Sequence, residues 1–317
     1  MAFKVGSGSV CQAAKQTTWG TSVTPSVLLN MTSESISVDY QKGDEANLIA
    51  KKTASAKDLL AVVVEGGIST ILRPEFADWL FEAALGAASS GEYTLAAPNT
   101  DLPISTVVMN RGGIVKTYPD VTIRSLTLDC PAQDYVRADI DLVGSKEIAA
   151  GGSGAQTIQN LSFTKPSYRC TQATLYYGAG GTAAASLTNS LCVEDVQITI
   201  DNGVEDSPAT YCSGLYNDRP VPGQRSVTAS FTIPYSSDVD SFRTSYYAND
   251  ASPNLALKLV FTTSNEDESV EVYIPNLNLT EGGANVGGAG IIDSSFSGEA
   301  LSIGSAEPIT ITVNHDS

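Results

Sequence analysis

A strand–helix unit occurs twice in this chain, about half the chain length apart, and this duplication constrains the fold more than any other feature. The first copy reads VVVEGGISTILRPEFADWLFEAALG (62–86) and the second reads GQRSVTASFTIPYSSDVDSFRTSYYAND (223–250). Each copy has an alternating strand, a proline at or just after its end, a short acidic stretch and an amphipathic helix with aromatic residues. A duplicated β-rich unit with almost no catalytic chemistry around it indicates a self-assembling structural subunit.

The two helices are predicted from their caps and their apolar spacing. Pro74 suits the first helical position, and Gly86 is a natural stop. The second helix is expected to begin near Ser237, with Asp240 three residues later. The apolar positions recur at helical spacing: they are Phe76, Trp79, Leu80 and Ala83 in the first helix, and Val239, Phe242 and Tyr246 in the second.

Most of the remaining chain alternates between apolar and polar residues, as strands do. The expected strands are 33–40, 59–72, 105–110, 120–130, 135–144, 173–178, 193–201, 254–263, 269–279 and 307–315. The polar segment 41–58 is interpreted as a loop. Many short strands, two short helices and Gly-rich turns predict a mainly β fold, a β-sandwich or half-barrel.

We expect four segments along the chain. Residues 1–30 form an N-terminal arm, 31–147 a first β unit, 148–190 a linker or variable region, and 191–317 a second β unit. The arm and the loop 41–58 are long polar segments, and long ordered loops are usually functional. They are therefore candidates for contacts between assembled subunits.

The charge balance excludes several kinds of partner. The formal net charge is −17 and the isoelectric point is about 4.3, so the chain repels phosphate backbones and anionic membrane surfaces. Only 17% of the residues are charged, which is low for a free globular surface and is consistent with neighbours covering part of it. No apolar run reaches membrane-spanning length and no secretory signal is recognisable, which predicts folding in a reducing cytoplasm.

Catalytic and metal-binding chemistry is missing from the sequence. The single histidine, His315, is the third residue from the end, where we expect a frayed side chain rather than a general base. The five cysteines show no CxxC spacing and are expected to be buried free thiols. We therefore predict no enzyme activity, no catalytic residue, no cofactor and no metal site.

With these residues laid out, the chain resembles the tail tube (major tail) proteins of long-tailed bacteriophages. The resemblance covers most of residues 60–147 and 190–313, and it is carried by six segments in the expected order. They are GGISTILRPEFADWLFEAALG, LPISTVVMNRGG and TYPDVTIRSLTLDCPAQDYVRADIDLVGSKE in the first half, and VEDVQITIDNGVEDS, PGQRSVTASFTIPY and VEVYIPNLNL in the second.

The resemblance implies a virion protein, assembled in the host bacterial cytoplasm, that forms stacked rings around a channel. Six fold units typically make one ring, and double-stranded DNA passes through without specific binding. Tape measure, tail-tip and terminator proteins are the implied partners. A chain with two units could form rings of six chains or of three, and we expect six.

The alternation of two strands suggests residues that line the channel or the ring interface. In YVRADIDLVG (135–144) one face is apolar, which places Asp139 and Asp141 on the other face. In SVEVYIPN (269–276) the same reasoning exposes Glu271. These three carboxylates are the candidate lumen or ring-interface acids, with an outer solvated face as the alternative.

Two other classes of protein fit parts of the sequence. A tail-associated β-sandwich adhesin or fibre component that binds a host surface glycan would present an exposed aromatic patch, and the tyrosine pairs 176–177 and 246–247 could supply one. A glycan hydrolase of the tail is the third class, because paired carboxylates are compatible with an acidic chain.

Overall fold

The computed structural model describes most of the chain and shows a mainly β architecture. The residues it describes are 6–45, 56–97, 100–204, 214–216, 218–236, 239–240, 254–265, 267–285 and 292–315. They contain one α-helix, α1 (Pro74–Leu85), two short 3-10 turns and nineteen strands. None of the described helices has the length and apolar character needed to cross a membrane.

The strands are numbered in chain order. They are β1 (Val10–Gln16), β2 (Val27–Leu29), β3 (Met31–Glu34), β4 (Ser37–Glu45), β5 (Ala56–Ile71), β6 (Gly86–Ser89), β7 (Glu92–Leu95), β8 (Ile104–Arg111), β9 (Ile114–Pro131), β10 (Arg137–Gly144), β11 (Ile148–Ala149), β12 (Arg169–Ala179), β13 (Asn189–Leu191), β14 (Asp195–Asp201), β15 (Ser226–Pro234), β16 (Asn254–Thr262), β17 (Glu268–Asn285), β18 (Asp293–Ala300) and β19 (Thr310–His315).

The first predicted helix is confirmed at both ends. Pro74 occupies its first turn, and Gly86 ends it in the left-handed conformation, with its N–H donating to the Glu82 carbonyl. Phe76 and Leu80 are fully buried, so the helix packs its apolar stripe onto the sheet. Of the second predicted helix, Val239 and Asp240 are helical, and the rest lies outside the described residues.

Nine strands in eight positions form what we call the central sheet. Their order is β3–β4, β5, β10, β9, β14, β15, β18 and β17, with β3 and β4 together forming one edge, and every pairing is antiparallel. The long strands β9 and β17 continue beyond this sheet and pair there with β8 and β16. One hydrophobic core joins these layers with α1, which agrees with the predicted sandwich or half-barrel.

The pairings in the second half of the chain repeat those of the first half strand for strand. Neighbours β5–β10–β9–β8 correspond to β15–β18–β17–β16. The flanking strands also correspond: β1 with β12, β2 with β13, β4 with β14 and β11 with β19. Each half is therefore built on the same sheet topology.

The repeat extends to the irregularities of the ladders. The β9–β10 and β17–β18 ladders each contain one bulge, at Arg124 and at Thr280. The β8–β9 and β16–β17 ladders also shift register once, at Pro119 and at Pro275. In each half the proline lies five residues before the bulge. Because bulges re-aim strands, the two halves bend at equivalent points.

Several segments differ from the sequence predictions. The prediction of a loop over 41–58 is wrong at both ends of the segment, because β4 runs to Glu45 and β5 starts at Ala56. The expected arm 1–30 contains β1 and β2, and the expected linker 148–190 contains β11, β12 and part of β13. The β6–β7 hairpin and β18 lie where no strand was predicted.

Candidate functional site

The central sheet has one apolar face and one polar face. Along β10, Ala138, Ile140 and Leu142 are buried, whereas Arg137 and Asp139 are exposed. The strands β14, β15 and β18 alternate in the same way, and paired residues on neighbouring strands share a face. We call the side of the sheet that points away from the core the polar face.

The polar face is rich in carboxylates and in Ser and Thr. Its acidic residues on β9, β10, β14, β17 and β18 are Asp129, Asp139, Asp141, Asp195, Asp201, Glu281, Asp293 and Glu299. Arg137 is the one basic residue at these alternating positions among the described residues, and it is ion-paired with Asp134. The face therefore carries a strong excess of negative charge.

The carboxylates are close enough to influence one another. Partial burial raises the pKa of Asp129, and the negative charges of Asp195 and Asp139 raise it further, while Arg137 opposes them. Hydroxyl groups occupy the spaces between the acids; for example, the Thr127 and Thr199 oxygens lie 3.1 Å apart across β9 and β14. Such a surface repels anions and offers few positive charges to bind them.

The three carboxylates singled out in the sequence do not lie together. Asp139 and Asp141 are two residues apart on β10 and both point onto the polar face. Asp141 lies 3.6 Å from Arg124 Nη1. Glu271 lies on the part of β17 beyond the central sheet, between β16 and β19, and its carboxylate is 4.0 Å from Lys258 Nζ.

The two halves of the chain are joined within the central sheet. Strand β14 pairs with β9 over seven consecutive residues, from Asp195 opposite Pro131 to Asp201 opposite Ser125. We call this pairing the internal junction. It makes the polar face continuous from one half to the other.

The two outer edges of the central sheet are open among the described residues. At one end β3 and β4 pair only with β5. At the other end the Glu281–Asn285 part of β17 pairs only with β18. Gly66 allows β5 to pass close to the first edge, since a Cβ there would lie 2.5 Å from the Ser35 carbonyl oxygen.

A charged cluster covers the edge formed by β3 and β4. Arg111 donates from Nε and Nη2 to the two carboxylate oxygens of Glu34, both at 2.7 Å, and from Nη2 to the Ile36 carbonyl at 2.9 Å. The hydrogen bond from Arg111 lowers the pKa of Glu34. Tyr118 accepts from Arg111 Nη1 at 2.8 Å and donates to Glu147 at 2.9 Å.

His315 is not the frayed side chain expected from its position. Its Nδ1 lies 2.5 Å from the buried carboxylate of Glu268, and its Nε2 lies 2.8 Å from Asp78 on α1. Partial burial of the ring disfavours its charge, but the two carboxylates outweigh this and raise the pKa of His315. Lys165 also contacts Glu268. This cluster ties β17 and β19 to the helix of the first half.

The thiols are distributed unevenly. Cys11, Cys130 and Cys170 are buried, as predicted, whereas Cys192 is exposed, and Cys212 lies outside the described residues. Burial raises the pKa of Cys11 to about 12, so this thiol stays protonated and unreactive at neutral pH.

Comparison with known proteins identifies one family. A family model described as phage tail tube protein matches residues 6–300 of the chain. No curated protein matches the chain.

Proposed function

The chain belongs to the phage tail tube protein family, and on that premise we propose that it assembles into stacked rings whose channel delivers genome DNA. Membership of this family makes the chain a structural subunit of the tail and a component of the virion, and it favours a non-enzymatic role. Each ring would contain six β units, and each chain would supply two of them.

The polar face of the central sheet is the observation that supports this proposal most directly. It presents eight carboxylates and one arginine at alternating positions on a continuous sheet, with Arg124 reaching Asp141 from the β9 bulge, and its other face is sealed by the core. A channel wall with like charge to DNA keeps phosphates from binding, so the duplex can slide. Asp139 and Asp141 would line this channel, whereas Glu271 would lie near a contact between subunits.

The strand repeat supports a division of the chain into two tail-tube units. We propose that the first unit starts at β1 and ends at β11, and that the second starts at β12 and ends at β19. The segments 1–30 and 148–190 would then belong mostly to the units themselves. This moves the unit boundaries away from 31–147 and 191–317.

The partners of such a subunit follow from its place in a tail. We propose that its rings stack on one another, contact the tape measure protein inside the channel, and end at tail-tip and terminator proteins. Assembly would take place in the host cytoplasm. No specific DNA sequence and no membrane would be bound.

The glycan-binding alternative receives little support from the tyrosines on which it was based. Tyr176 and Tyr177 are partly buried in β12, and the Tyr176 ring lies 4.8 Å from the Lys258 ammonium. The second pair, 246–247, lies outside the described residues. The tail hydrolase is not favoured by any arrangement of side chains described above.

Electron microscopy of the purified, untagged chain tests the proposal. At high protein concentration we expect stacked rings or tubes with a central channel, and no retention of duplex DNA on the free chain at low salt. Single particles that persist after seeding with tail-tip complexes would contradict the proposal, and glycan binding by those particles would support the adhesin instead.

A further inference from the structure

We infer that the open edge at residues 33–39 of one copy pairs with β17 of a second copy, in the register of the internal junction, and that three copies close the ring. This inference rests on the proposed tube function and names the partner surface that the function requires. The occupant of each open edge is a second copy of this chain.

The internal junction supplies the template for this contact. In it, one strand from each half pairs antiparallel over seven residues, and it joins two units of the same topology. Such a contact is heterologous, because the two units use different edges. A heterologous contact within one chain leaves one edge of each kind unused, at the two ends of the central sheet. Repeating the same contact between chains generates a ring or a filament.

Residues 33–39 are the unused counterpart of β14. They pair with residues 63–69 of β5, as Asp195–Asp201 pair with residues 226–232 of β15. The two pairings also lie at the same distance along the chain from the helix that follows each of them. Ser69 lies five residues before Pro74, and Thr232 lies five residues before Ser237, where the second helix is predicted to begin.

The Glu281–Asn285 part of β17 is the unused counterpart of the β9 segment in the internal junction. The bulge residues Arg124 and Thr280 are equivalent, so Ser125, which pairs with Asp201, corresponds to Glu281. Carrying the internal register over therefore places Asp39 of one copy opposite Glu281 of the next. Both side chains then point onto the polar face, which would run unbroken around the ring.

The Glu34–Arg111 pair explains how this edge can stay unpaired in a single copy. The Ser35 N–H donates to Gly67 on β5, so the backbone groups of Ile36 face the open edge. The Ile36 N–H donates to Glu34 at 3.0 Å, and its carbonyl accepts from Arg111. Inward-pointing charges of this kind protect sheet edges from uncontrolled pairing. An incoming β17 would replace Arg111 at the Ile36 carbonyl and leave the Glu34–Arg111 pair intact.

The size of the channel favours three chains over the six expected from the sequence. Each chain contributes eight strand positions to the central sheet, because β3 and β4 share one of them. With strands about 4.8 Å apart and tilted by about 40°, three chains close a barrel of about 48 Å between opposite backbones. Six chains would close one of about 96 Å by the same geometry. The smaller barrel leaves room for one DNA duplex once the space taken by the side chains that point into the channel is subtracted.

Cysteine cross-linking of assembled tubes tests the register. In a Cys192→Ser background, which removes the thiol that is exposed among the described cysteines, the variant Asp39→Cys/Glu281→Cys brings two cysteines opposite each other. Paired residues on antiparallel strands have Cα atoms about 4.5–5.5 Å apart, within the range of a disulfide. The matched control Asp39→Cys/Gly283→Cys moves one cysteine two residues along the strand, beyond that range.

We expect mild oxidation of tubes to yield covalent dimers and trimers from the first variant, with no larger species, and none from the control. Tubes whose cross-links continue to six chains, or form only in the control, would overturn the inference and leave the tube function standing. Absence of tubes from the unmodified chain would overturn the proposed function itself.

Hydrogen exchange on the unmodified chain keeps the inference testable if the cysteine variant does not assemble. The Ile36 amide already donates to Glu34 in a single copy, so the informative amide is that of Val38, which faces the same open edge. We expect this amide to become protected when tubes form. Unchanged exchange of the Val38 amide in well-formed tubes would overturn the inferred contact.

Discussion

Replacing Arg111 by methionine tests how the open edge of the central sheet is held. The guanidinium makes two hydrogen bonds to Glu34, one to the Ile36 carbonyl and one to Tyr118. The Glu34 and Arg111 side chains are 19% and 33% exposed, so the carboxylate left behind keeps only part of its hydration. Removing one partner of a fully buried ion pair costs about 3–5 kcal/mol, and solvent screening reduces this. We expect Arg111→Met to lower the free energy of unfolding by about 2–4 kcal/mol.

Urea unfolding followed by tryptophan fluorescence measures this loss. The matched control is Lys15→Met, which breaks an ion pair with Glu82 whose side chains are 52% and 29% exposed and should cost at most about 1 kcal/mol. The pKa of Glu34 is lowered in the folded chain, so its stabilisation is present above its unfolded value of 4.5 and is lost as the pH falls through the folded value. The difference between the wild type and Arg111→Met should therefore shrink in acid. Equal losses for the two variants at neutral pH would refute the reasoning.

Three further predictions concern other parts of the molecule. His315→Gln should remove a stabilisation of up to about 1 kcal/mol that the contact with Glu268 provides. Because the pKa of His315 is raised in the folded chain, this stabilisation is complete below pH 6.5 and is lost as the pH rises through the folded pKa. Thermal melts of the variant should therefore depend less on pH over this range than those of the wild type. Phe296→Ala should cost about 3–5 kcal/mol in urea unfolding, since Phe296 is buried and stacks on Phe231 with ring centroids 5.3 Å apart; a loss below about 1 kcal/mol would show that the site collapses. Asp139→Arg should leave unfolding unchanged, because the side chain is exposed, but tubes of this variant should retain duplex DNA at low salt and release it at high salt; tubes indistinguishable from wild type would argue against a lumen position.

Sequence patterns predict the strands and the helix whose signals lie in a few neighbouring residues. The alternation from Val136 to Leu142 places a strand with the correct buried face, and Pro74 and Gly86 mark the ends of α1. Both signals lie within a few residues of the element that they predict. The mainly β fold follows from such signals alone.

Contacts between distant parts of the chain could not be predicted in this way. His315 binds Asp78, 237 residues earlier, and no periodicity encodes that partner. Strand β1 lies in a polar Gly, Ser and Thr segment, and its pairing with β8 stabilises it. The strand-for-strand repeat of the two halves could not be predicted from the sequence either, because equivalent positions hold different residues. Glu34 at the open edge corresponds to Val196 at the internal junction, where a strand replaces the ion pair.

A reconstruction of the assembled tube by cryo-electron microscopy would show whether the polar face lines the channel of a tube built from this chain. We expect Asp139 and Asp141 to face the lumen and three chains to be related by the ring axis. A tube with the polar face on its outer surface, or a channel lined by other strands, would contradict this expectation.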